Sequence, residues 1–434
     1  MKSLFAAGLL ALLVAATVHA AGPQYMVFNL GAVPVPGGGV ATFAAHINNA
    51  GEVTGNLTTA NGGTRAFLFS GGSMQNLGTL GGDASSGLGI NDAGQVTGWS
   101  SIASGYARAF RYSSGSMQDL GTLPDTTAAV DSEGFAINND GKVTGYSHLG
   151  YPGYGNSQHA FVTSGGNMVD LGSLYPASSA FDSYGIAINN SGTVTGRARS
   201  VVGDQPGPMH AFRSSGGSMS DLGTLGGDSS YGLGINDSGQ VTGWADLVGG
   251  GTYDNRHAFV STVGGLADLG TLPGDTFSHG NAINNSGQVV GSSGSFFTAE
   301  HAFLYSGGTM YKLNDLATNL ASTGISNLVV ANGINDQGWI VGQGIGGSSS
   351  AYAFLAIPTT PPAMRIVRAG PGSEVRWPSN ANEWTLQTST TLAPNSWTAI
   401  PGPFTTNLGE YVYFFPHNEP RRFFRLFVLL VAGP

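Results

Sequence analysis

Seven copies of a repeated unit of roughly 48 residues occupy residues 25–358 of the chain. Each copy contains an Ile-Asn element and an Ala-Phe element. The first Ala-Phe follows the first Ile-Asn, so the first copy lacks its opening strand and the end of the array has one to spare. The two sets are Ile47, Ile90, Ile137, Ile188, Ile235, Ile283 and Ile334, and Phe67, Phe110, Phe161, Phe212, Phe259, Phe303 and Phe354. A closed ring of repeats needs this exchange of strands, whereas an open stack does not.

Each unit contains four short stretches with strand character, exemplified by residues 301–305, 117–123, 87–91 and 95–99. A Gly-Gly turn joins the first two stretches, and an Asn-Asp-x-Gly or Asn-Asn-x-Gly turn joins the last two. The pattern predicts an all-β fold made of four-stranded antiparallel meanders. We expect a seven-bladed β-propeller, closed by exchange of the N- and C-terminal strands, with residues 25–33 as the outer strand of the last blade. The small Ile-Asn strand is expected innermost, and an open β-solenoid is the alternative.

The HAF stretch, the DLGTL stretch, the turn after Ile-Asn and the V-x-G stretch resemble the HAF-repeat family of extracellular bacterial proteins. The resemblance covers residues 25–358 and recurs in all seven copies. Arg65, Arg108 and Tyr352 replace the His, and Leu313-Asn314 departs from Asp-Leu-Gly. The resemblance implies export and a repeat fold, and it implies no particular activity.

The two ends of the chain differ from the array. Residues 1–20 have a Lys, an apolar run and a small-x-small-like site before Ala21, which predicts a cleaved signal peptide; an uncleaved anchor is the alternative. Residues 21–358 are expected to form the propeller and 359–363 a Pro/Thr linker. Residues 364–430 are rich in aromatic residues and predict five or six strands in a small C-terminal β-sandwich module. Export without any Cys suits a bacterial protein that is secreted or held at the cell surface, with the periplasm as the alternative.

Composition argues against several classes of function. The net charge is −9 with 16 Lys+Arg, so a basic surface for nucleic acid is not expected. The histidines of the Ala-Phe strands recur in register, which favours a structural role over metal binding; they are His159, His210, His257 and His301. Asp83, Asp228 and Asp275 also recur, and we expect their carboxylates to cap loops instead of binding calcium. No metal and no cofactor is therefore predicted.

In a meander, both tight turns lie on one face of the ring and the variable connections lie on the other. Residues repeated in every copy are expected to serve the fold, so residues unique to one variable connection are candidates for binding. Connections 146–158, 197–209 and 245–256 combine aromatic and charged side chains that suit the stacking and hydrogen bonding of sugars. The candidate ligand-binding residues are Tyr151, Tyr154, Arg197, Asp204, Tyr253, Asp254 and Arg256.

Three functions stay open at this point. The first is a non-catalytic binding or scaffold propeller, secreted or on the cell surface, for polysaccharide or an extracellular protein. The second is an extracellular carbohydrate-active hydrolase or lyase, whose site could combine His148, Asp182, Arg256 and His279 at the axial mouth. The third is a structural matrix protein, favoured by the low charge. No catalytic sequence motif is present, so we favour binding and expect a monomer without a transmembrane segment after signal cleavage.

Overall fold

The fold is that of a computed structural model of the chain. The structure describes residues 23–32, 38–123, 130–151, 155–175, 181–202, 205–249, 255–295, 300–347, 350–359, 364–370, 372–378, 384–389, 398–402, 404–407, 410–416 and 423–428. Almost all of its regular structure is strand, which confirms the all-β prediction. The predicted signal peptide, residues 1–20, and most of the linker lie outside the described residues.

Within residues 25–358, the described residues form seven four-stranded antiparallel sheets, numbered I to VII along the chain. β1 (Tyr25–Asn29) comes first. Sheets I to III contain β2 (Val40–Ile47), β3 (Val53–Thr58), β4 (Thr64–Ser70) and β5 (Ser73–Asn76); β6 (Gly81–Ile90), β7 (Val96–Ile102), β8 (Ala107–Ser113) and β9 (Ser116–Asp119); and β10 (Ser132–Ile137), β11 (Val143–Tyr151), β12 (Gly155–Ser164) and β13 (Asn167–Asp170).

The remaining sheets of this region follow the same order of strands. Sheets IV to VI contain β14 (Ser183–Ile188), β15 (Val194–Val202), β16 (Gln205–Ser215) and β17 (Ser218–Asp221); β18 (Gly226–Ile235), β19 (Val241–Leu247), β20 (Arg256–Thr262) and β21 (Gly265–Asp268); and β22 (Phe277–Ile283), β23 (Val289–Gly294), β24 (His301–Ser306) and β25 (Thr309–Lys312). Sheet VII contains β26 (Ile325–Ile334), β27 (Ile340–Gly346), β28 (Ala351–Pro358) and, at its outer edge, β1. Short helices cover Leu30–Ala32, α1 (Leu313–Leu316) and Leu320–Ser322.

The Ile-Asn strands are the inner strands of the sheets. Each one contacts the inner strand of the next sheet, and β26 of sheet VII contacts β2 of sheet I. The Asn that follows each strand is buried and donates its side-chain amide to the main-chain oxygen of the corresponding Asn in the next sheet. This series of hydrogen bonds returns to its start: Asn48, Asn91, Asn138, Asn189, Asn236, Asn284, Asn335 and again Asn48.

The hydrophobic core lies between successive sheets. The Phe of each Ala-Phe strand is fully buried in all seven copies. Phe259 of sheet V, for example, packs in a cluster with Ala211 of sheet IV and with Val241 and Ala245 of its own sheet. No single sheet encloses its own core, so each sheet requires a neighbour on either side.

The N-terminal strand completes the sheet of the last repeat. β1 pairs antiparallel with β28, from Tyr25 opposite Pro358 to Asn29 opposite Phe354. The side chains of Tyr25 and Val27 are 1% exposed, and burial raises the pKa of the Tyr25 phenol. Residues 25–29 are thus held in the core about 330 residues away from their partner along the chain.

The variable connections contain more strand than we expected from the sequence. β11 continues to Tyr151 and β12 begins at Gly155, and β15 continues to Val202 with β16 beginning at Gln205. These connections are therefore largely extended hairpins, because the strand pairing continues past Val-Thr-Gly to Tyr151 opposite Gly155 and to Val202 opposite Gln205. Asp83 and Asp228 likewise lie in strands β6 and β18, where a loop was expected.

The described residues after 364 form two further sheets. Their strands are β29 (Arg365–Ala369), β30 (Gly372–Pro378), β31 (Trp384–Ser389), β32 (Thr398–Ala399), β33 (Thr405–Asn407), β34 (Glu410–Pro416) and β35 (Phe423–Val428), ordered β29-β30-β34-β33 and β32-β31-β35. Seven strands are present where five or six were predicted. Trp377 is fully buried and packs against Phe404 and Tyr411, so this aromatic residue serves the core.

Candidate functional site

A cavity of about 270 Å³ lies among the inner strands. It is lined by the repeated Ile ring and by the residues two positions earlier, such as Leu88, Phe135, Ile186 and Leu233. On the side of the tight turns it is followed by a ring of exposed Asn and Asp residues that bind one another. The walls are apolar and repeated, so the cavity itself offers few groups that could select a ligand.

Beyond this cavity, towards the variable connections, sheets III to VI bring aromatic and charged side chains into one continuous layer. Tyr146 of β11 contacts Tyr184 of β14, with ring centroids 5.4 Å apart. Tyr231 of β18 stacks on Trp244 of β19 at 4.1 Å, and Trp244 contacts His279 of β22 at 5.9 Å. Two arginines complete the layer, which we call the aromatic–arginine belt: Tyr146, Tyr184, Arg197, Tyr231, Trp244, Arg256 and His279.

Arg197 joins the two halves of the belt. Its guanidinium carbon lies 4.3 Å from the ring centroid of Tyr184 and 4.5 Å from that of Tyr231, so the cation is held between two rings from neighbouring sheets. Burial raises the pKa of Tyr184 and Asp182 adds to this rise, while the charge and hydrogen bond of Arg197 oppose it. Among the described residues, Arg197 makes no salt bridge.

Arg256, the first residue of β20, lies beside Trp244. Its guanidinium carbon lies 4.2 Å from the Trp244 ring centroid, and its Nε lies 3.9 Å from Asp246 Oδ1. Burial raises the pKa of Asp246, and the charge of Arg256 opposes that rise. Burial and the nearby Arg256 lower the pKa of His279 to about 4, so His279 is neutral at neutral pH.

Several polar atoms of this region are buried without a hydrogen-bond partner in the described structure. They are Nε of Arg197, Oδ1 of Asp246 and Nε2 of His279. The Asp246 side chain is 7% exposed, whereas Arg197 and His279 are partly exposed. Unsatisfied buried polar atoms are uncommon in folded proteins, and three of them in adjacent sheets mark a region where the hydrogen bonds within the described protein are incomplete.

The candidate residues from the sequence have different outcomes. Arg197 and Arg256 both belong to the belt, but they lie in strands β15 and β20 and not in loops. Tyr151 lies at the end of β11, opposite Gly155. Tyr154, Asp204, Tyr253 and Asp254 lie outside the described residues.

The residues suggested for an enzyme site lie along the belt. The ring of His148 is 5.9 Å from that of Tyr146, and its Nε2 is 2.9 Å from Gln158 Nε2. Asp182 accepts a hydrogen bond from the main-chain nitrogen of Gln158. Arg256 and His279 lie together around Trp244. His148 and His279 therefore lie in different sheets, III and VI, with the rest of the belt between them.

The sequence interpretation missed four residues of the belt: Tyr146 as a binding candidate, Tyr184, Tyr231 and Trp244. A signal for them is present in the sequence. The residue after Val-x-Gly and its partner on the inner strand differ from copy to copy, although the flanking residues repeat. The paired positions are Phe43–Asn56, Ser86–Trp99, Glu133–Tyr146, Tyr184–Arg197, Tyr231–Trp244, His279–Ser292 and Val330–Gln343.

The recurring histidines make contacts within the scaffold. Nδ1 of His159, His210 and His257 lies 2.8–2.9 Å from the Asp of Asp-Leu-Gly in the same sheet. His210 Nε2 also lies 3.1 Å from the main-chain oxygen of Asp228 in the next repeat. No cluster of His, Asp and Glu in the described part of the chain could hold a metal ion.

The recurring aspartates after Thr-Leu behave differently from one another. Asp275 accepts a hydrogen bond from Ser293 through its carboxylate. Asp83 and Asp228 instead accept one from Arg65 and His210, respectively, through the main-chain oxygen. The expected carboxylate contact is thus present at Asp275, and a main-chain contact takes its place at Asp83 and Asp228.

No protein-family model matches the chain, and no curated protein matches it. The solved β-propeller domain of the Trilobed protease from Pyrococcus furiosus is similar at 9% identity and a TM-score of 0.45, over 73% of this chain and 94% of that one. An acylaminoacyl peptidase from Pyrococcus horikoshii is similar at 10% identity and a TM-score of 0.45, over 77% and 57%. A six-bladed fucose-binding lectin from Aleuria aurantia is similar at 11% identity and a TM-score of 0.29, over 79% and 97%. These similarities are weak, so the function is inferred below from the geometry of this chain.

Proposed function

We propose that residues 21–358 form a closed seven-bladed β-propeller of the HAF-repeat type. The series of Asn hydrogen bonds that returns from Asn335 to Asn48 supports closure, as does the pairing of β1 with β28. Closure also explains how sheets I and VII each find a second neighbour without a capping element. Residues 364–430 are then an appended β-sandwich module with its own core around Trp377.

We further propose that this propeller is a non-catalytic binding module, exported by a bacterium through the signal peptide at residues 1–20. No helix in the described part of the chain is long and apolar enough to span a membrane. The ligand class that we favour is polysaccharide. The observation that carries the proposal is the aromatic–arginine belt, a non-repeated and partly exposed layer in a scaffold whose other positions repeat.

The belt has the chemistry of a saccharide site. Tyr146, Tyr184 and Tyr231 are partly exposed aromatic side chains that could contact the apolar faces of sugar rings. The polar atoms of Arg197, Asp246 and His279 supply directional hydrogen bonds beside them. A small number of precisely placed polar groups among aromatic side chains is typical of a small-ligand site on a rigid scaffold.

A glycan panel with variants of the full chain tests this function. Tyr231→Ala is expected to weaken binding of any captured glycan by roughly 30-fold or more, the effect of removing a central aromatic contact, and Trp244→Ala is expected to do the same because the buried Trp244 ring holds Tyr231 and Arg256 in place. Trp99→Ala is the matched control, because Trp99 has the same register in sheet II and lies outside the belt. Equal affinity of all three variants and the wild-type chain would contradict the proposal, provided that their melting temperatures agree.

An extracellular hydrolase or lyase is the second candidate. A specific observation favours it: an acid, a base and an arginine converge at Asp246, His279 and Arg256, and burial shifts the pKa of the acid upwards and that of the base downwards. Incubation of bound glycans with the wild-type chain would release reducing ends or unsaturated products if this function is correct. Release that persists in His279→Gln and Asp246→Asn variants would exclude these residues as its source.

A further inference from the structure

One cation of the belt has a different setting from the other arginines. The two faces of the Arg197 guanidinium are covered by Tyr184 and Tyr231 at 4.3 and 4.5 Å. A ligand can therefore reach this group only at its edge, where the N–H donors lie. An edge-on approach is the geometry in which a guanidinium binds a carboxylate or a sulfate through two parallel hydrogen bonds.

The donors of Arg197 are not used up within the described protein. Its Nε is buried without a hydrogen-bond partner, and the guanidinium has no salt bridge among the described residues. Arg256 differs, because Asp246 lies 3.9 Å from its Nε. The contact with two rings fixes the plane of Arg197 before any ligand arrives, so little side-chain entropy would be lost on binding.

Other arginines in the array show what a structural arginine does in this fold. Arg111 donates to the main-chain oxygen of Gly141 in the next repeat and to Gln118. Arg213 donates to Gly239 in the same way. Both recur in register beside the tight turns, whereas Arg197 occupies a position where the other copies have Asn, Trp, Tyr, Trp, Ser and Gln. Repeat architecture therefore does not account for Arg197.

The surroundings favour an anion over a neutral group. The whole chain has a net charge of −9, yet the belt contains Arg197 and Arg256 within one layer, with His279 neutral beside them. No carboxylate of the described residues lies within 4.0 Å of the Arg197 guanidinium, although Asp182 is close enough to Tyr184 to raise its pKa. In the two following sheets, Oδ1 of Asp246 and Nε2 of His279 are further polar atoms without a hydrogen-bond partner in the described structure.

We propose that the belt binds an acidic saccharide, and that Arg197 pairs with its carboxylate or sulfate group while the exposed part of Tyr231, which packs on the buried Trp244, contacts the adjoining sugar. This inference rests on the proposed function and specifies its ligand class. A uronic acid and a sulfated sugar share the anionic chemistry and differ in the group that carries it.

Calorimetry with the full chain and three probes tests the inference. An oligogalacturonate carries carboxylates, its fully methyl-esterified form has the same rings without charge, and a carrageenan oligosaccharide carries sulfates without carboxylates. We expect one of the two charged probes to bind, and the ester to bind at least about tenfold more weakly than the acid if the carboxylate is the anion. Affinity for the charged probe should also fall as salt is raised.

Variants separate the charge of Arg197 from its packing. Arg197→Gln should lower the affinity for the charged probe by roughly 10- to 100-fold and leave the affinity for the ester unchanged. Arg197→Lys should retain part of the affinity for the charged probe. Arg111→Gln is the matched control, because Arg111 is also partly exposed and lies beside the tight turns; it should bind like the wild type. Thermal melting of each variant shows that the fold is retained.

The outcomes distinguish this inference from the proposed function. If neutral sugars bind as tightly as charged ones and Trp244→Ala weakens them while Arg197→Gln does not, the anionic ligand is wrong and the binding function stands. If neither the three probes nor the glycan panel binds, both proposals fail.

Discussion

At the level of single residues, the most frequent chemical groups of the array turn out to serve the scaffold. His159, His210 and His257 of the Ala-Phe strands contact the Asp of their own sheet, and His210 also contacts the first strand of the next repeat, whereas His301 lies 3.5 Å from Lys312 Nζ. In the first two copies Arg65 and Arg108 make the second of these contacts, donating to the main-chain oxygens of Asp83 and Val130. His and Arg are interchangeable here because both can donate to that oxygen.

The His210–Asp221 pair predicts a pH-dependent contribution to stability. Its hydrogen bond with Asp221 raises the pKa of His210, although burial opposes the rise. Burial alone would raise the pKa of Asp221, but the hydrogen bond from His210, the hydrogen bond from the Gly223 main chain and the charge of His210 together lower it. The stabilisation that comes from the raised pKa of His210 is fully present below about pH 6.5 and is lost as the pH rises through the pKa of His210 in the folded state. The stabilisation that comes from the lowered pKa of Asp221 is present above about pH 3.8 and is lost as the pH falls through the pKa of Asp221 in the folded state.

The His210–Asp221 pair should therefore stabilise the fold most at pH values between about 3.8 and about 6.5, the ordinary pKa values of Asp and His. Since both groups are partly exposed, the contribution should stay below about 1 kcal/mol. Melting temperatures of wild type and His210→Gln, measured at about pH 5.5 and about pH 9, should differ more at the lower pH. A difference of equal size at both pH values would show that the pair is not the cause.

At the level of elements, neighbouring repeats fit together through one small contact. In five copies the Thr of Val-Thr-Gly donates to the main-chain oxygen of the buried Phe, as Thr195 does to Phe212 at 2.6 Å. A Cβ on the inner-strand Gly of the next sheet would overlap this Thr; Gly232 faces Thr195 in this way. In the two copies with Val290 and Val341 instead of Thr, the next inner strand has Ala331 and Ala44. Since Ala44 belongs to the first sheet, the same rule holds across the junction of sheets VII and I.

This complementarity predicts coupling between Thr195 and Gly232. Gly232→Ala alone should destabilise the chain by about 1–3 kcal/mol, because the new methyl group meets a hydroxyl fixed by its hydrogen bond. In Thr195→Val the hydrogen bond that fixes the side chain of residue 195 is absent. The double variant should therefore lose less unfolding free energy than the two single variants lose together, by at least about 0.5 kcal/mol. Denaturant unfolding of the four chains measures this energy, and strict additivity would refute the contact.

The first strand provides a second test at this level. Val27 is 1% exposed and Met26, its neighbour in β1, is 41% exposed. Val27→Asp should destabilise the array by roughly 3–5 kcal/mol, because it buries a charge without a partner. Met26→Asp should change stability by less than about 0.5 kcal/mol, since it points to solvent. Similar effects of the two substitutions on the unfolding free energy would mean that β1 is not part of the core of sheet VII.

At the level of the whole molecule, the repeat itself accounts for what could be predicted from the sequence. The turn residues and the period determine the four-stranded sheets, because the same local signal recurs in each of the seven copies. The strand lengths at the variable connections could not be predicted, since pairing across an extended hairpin depends on both of its strands. The belt was only partly predicted, because its residues are far apart along the chain and meet only when successive sheets pack.

The same packing explains how an array of similar units acquires one distinct region. Non-repeated residues occur around the array, but among the described residues Arg197 is the arginine held between two aromatic rings, and Arg256 lies over the ring of Trp244 in the next sheet. Arg197 lies between residues of sheets IV and V, so neither sheet alone forms the site. Ligand binding is therefore expected to require the assembled array.

A crystal structure of the full chain with the acidic oligosaccharide that binds most tightly tests this account most directly. The ligand is expected across sheets IV to VI, with its carboxylate or sulfate at the edge of the Arg197 guanidinium and a sugar against the exposed part of Tyr231. Seven sheets should surround one axis in the same crystal. A ligand bound beside the tight turns, or a belt closed by protein groups that leave Arg197 inaccessible, would contradict it.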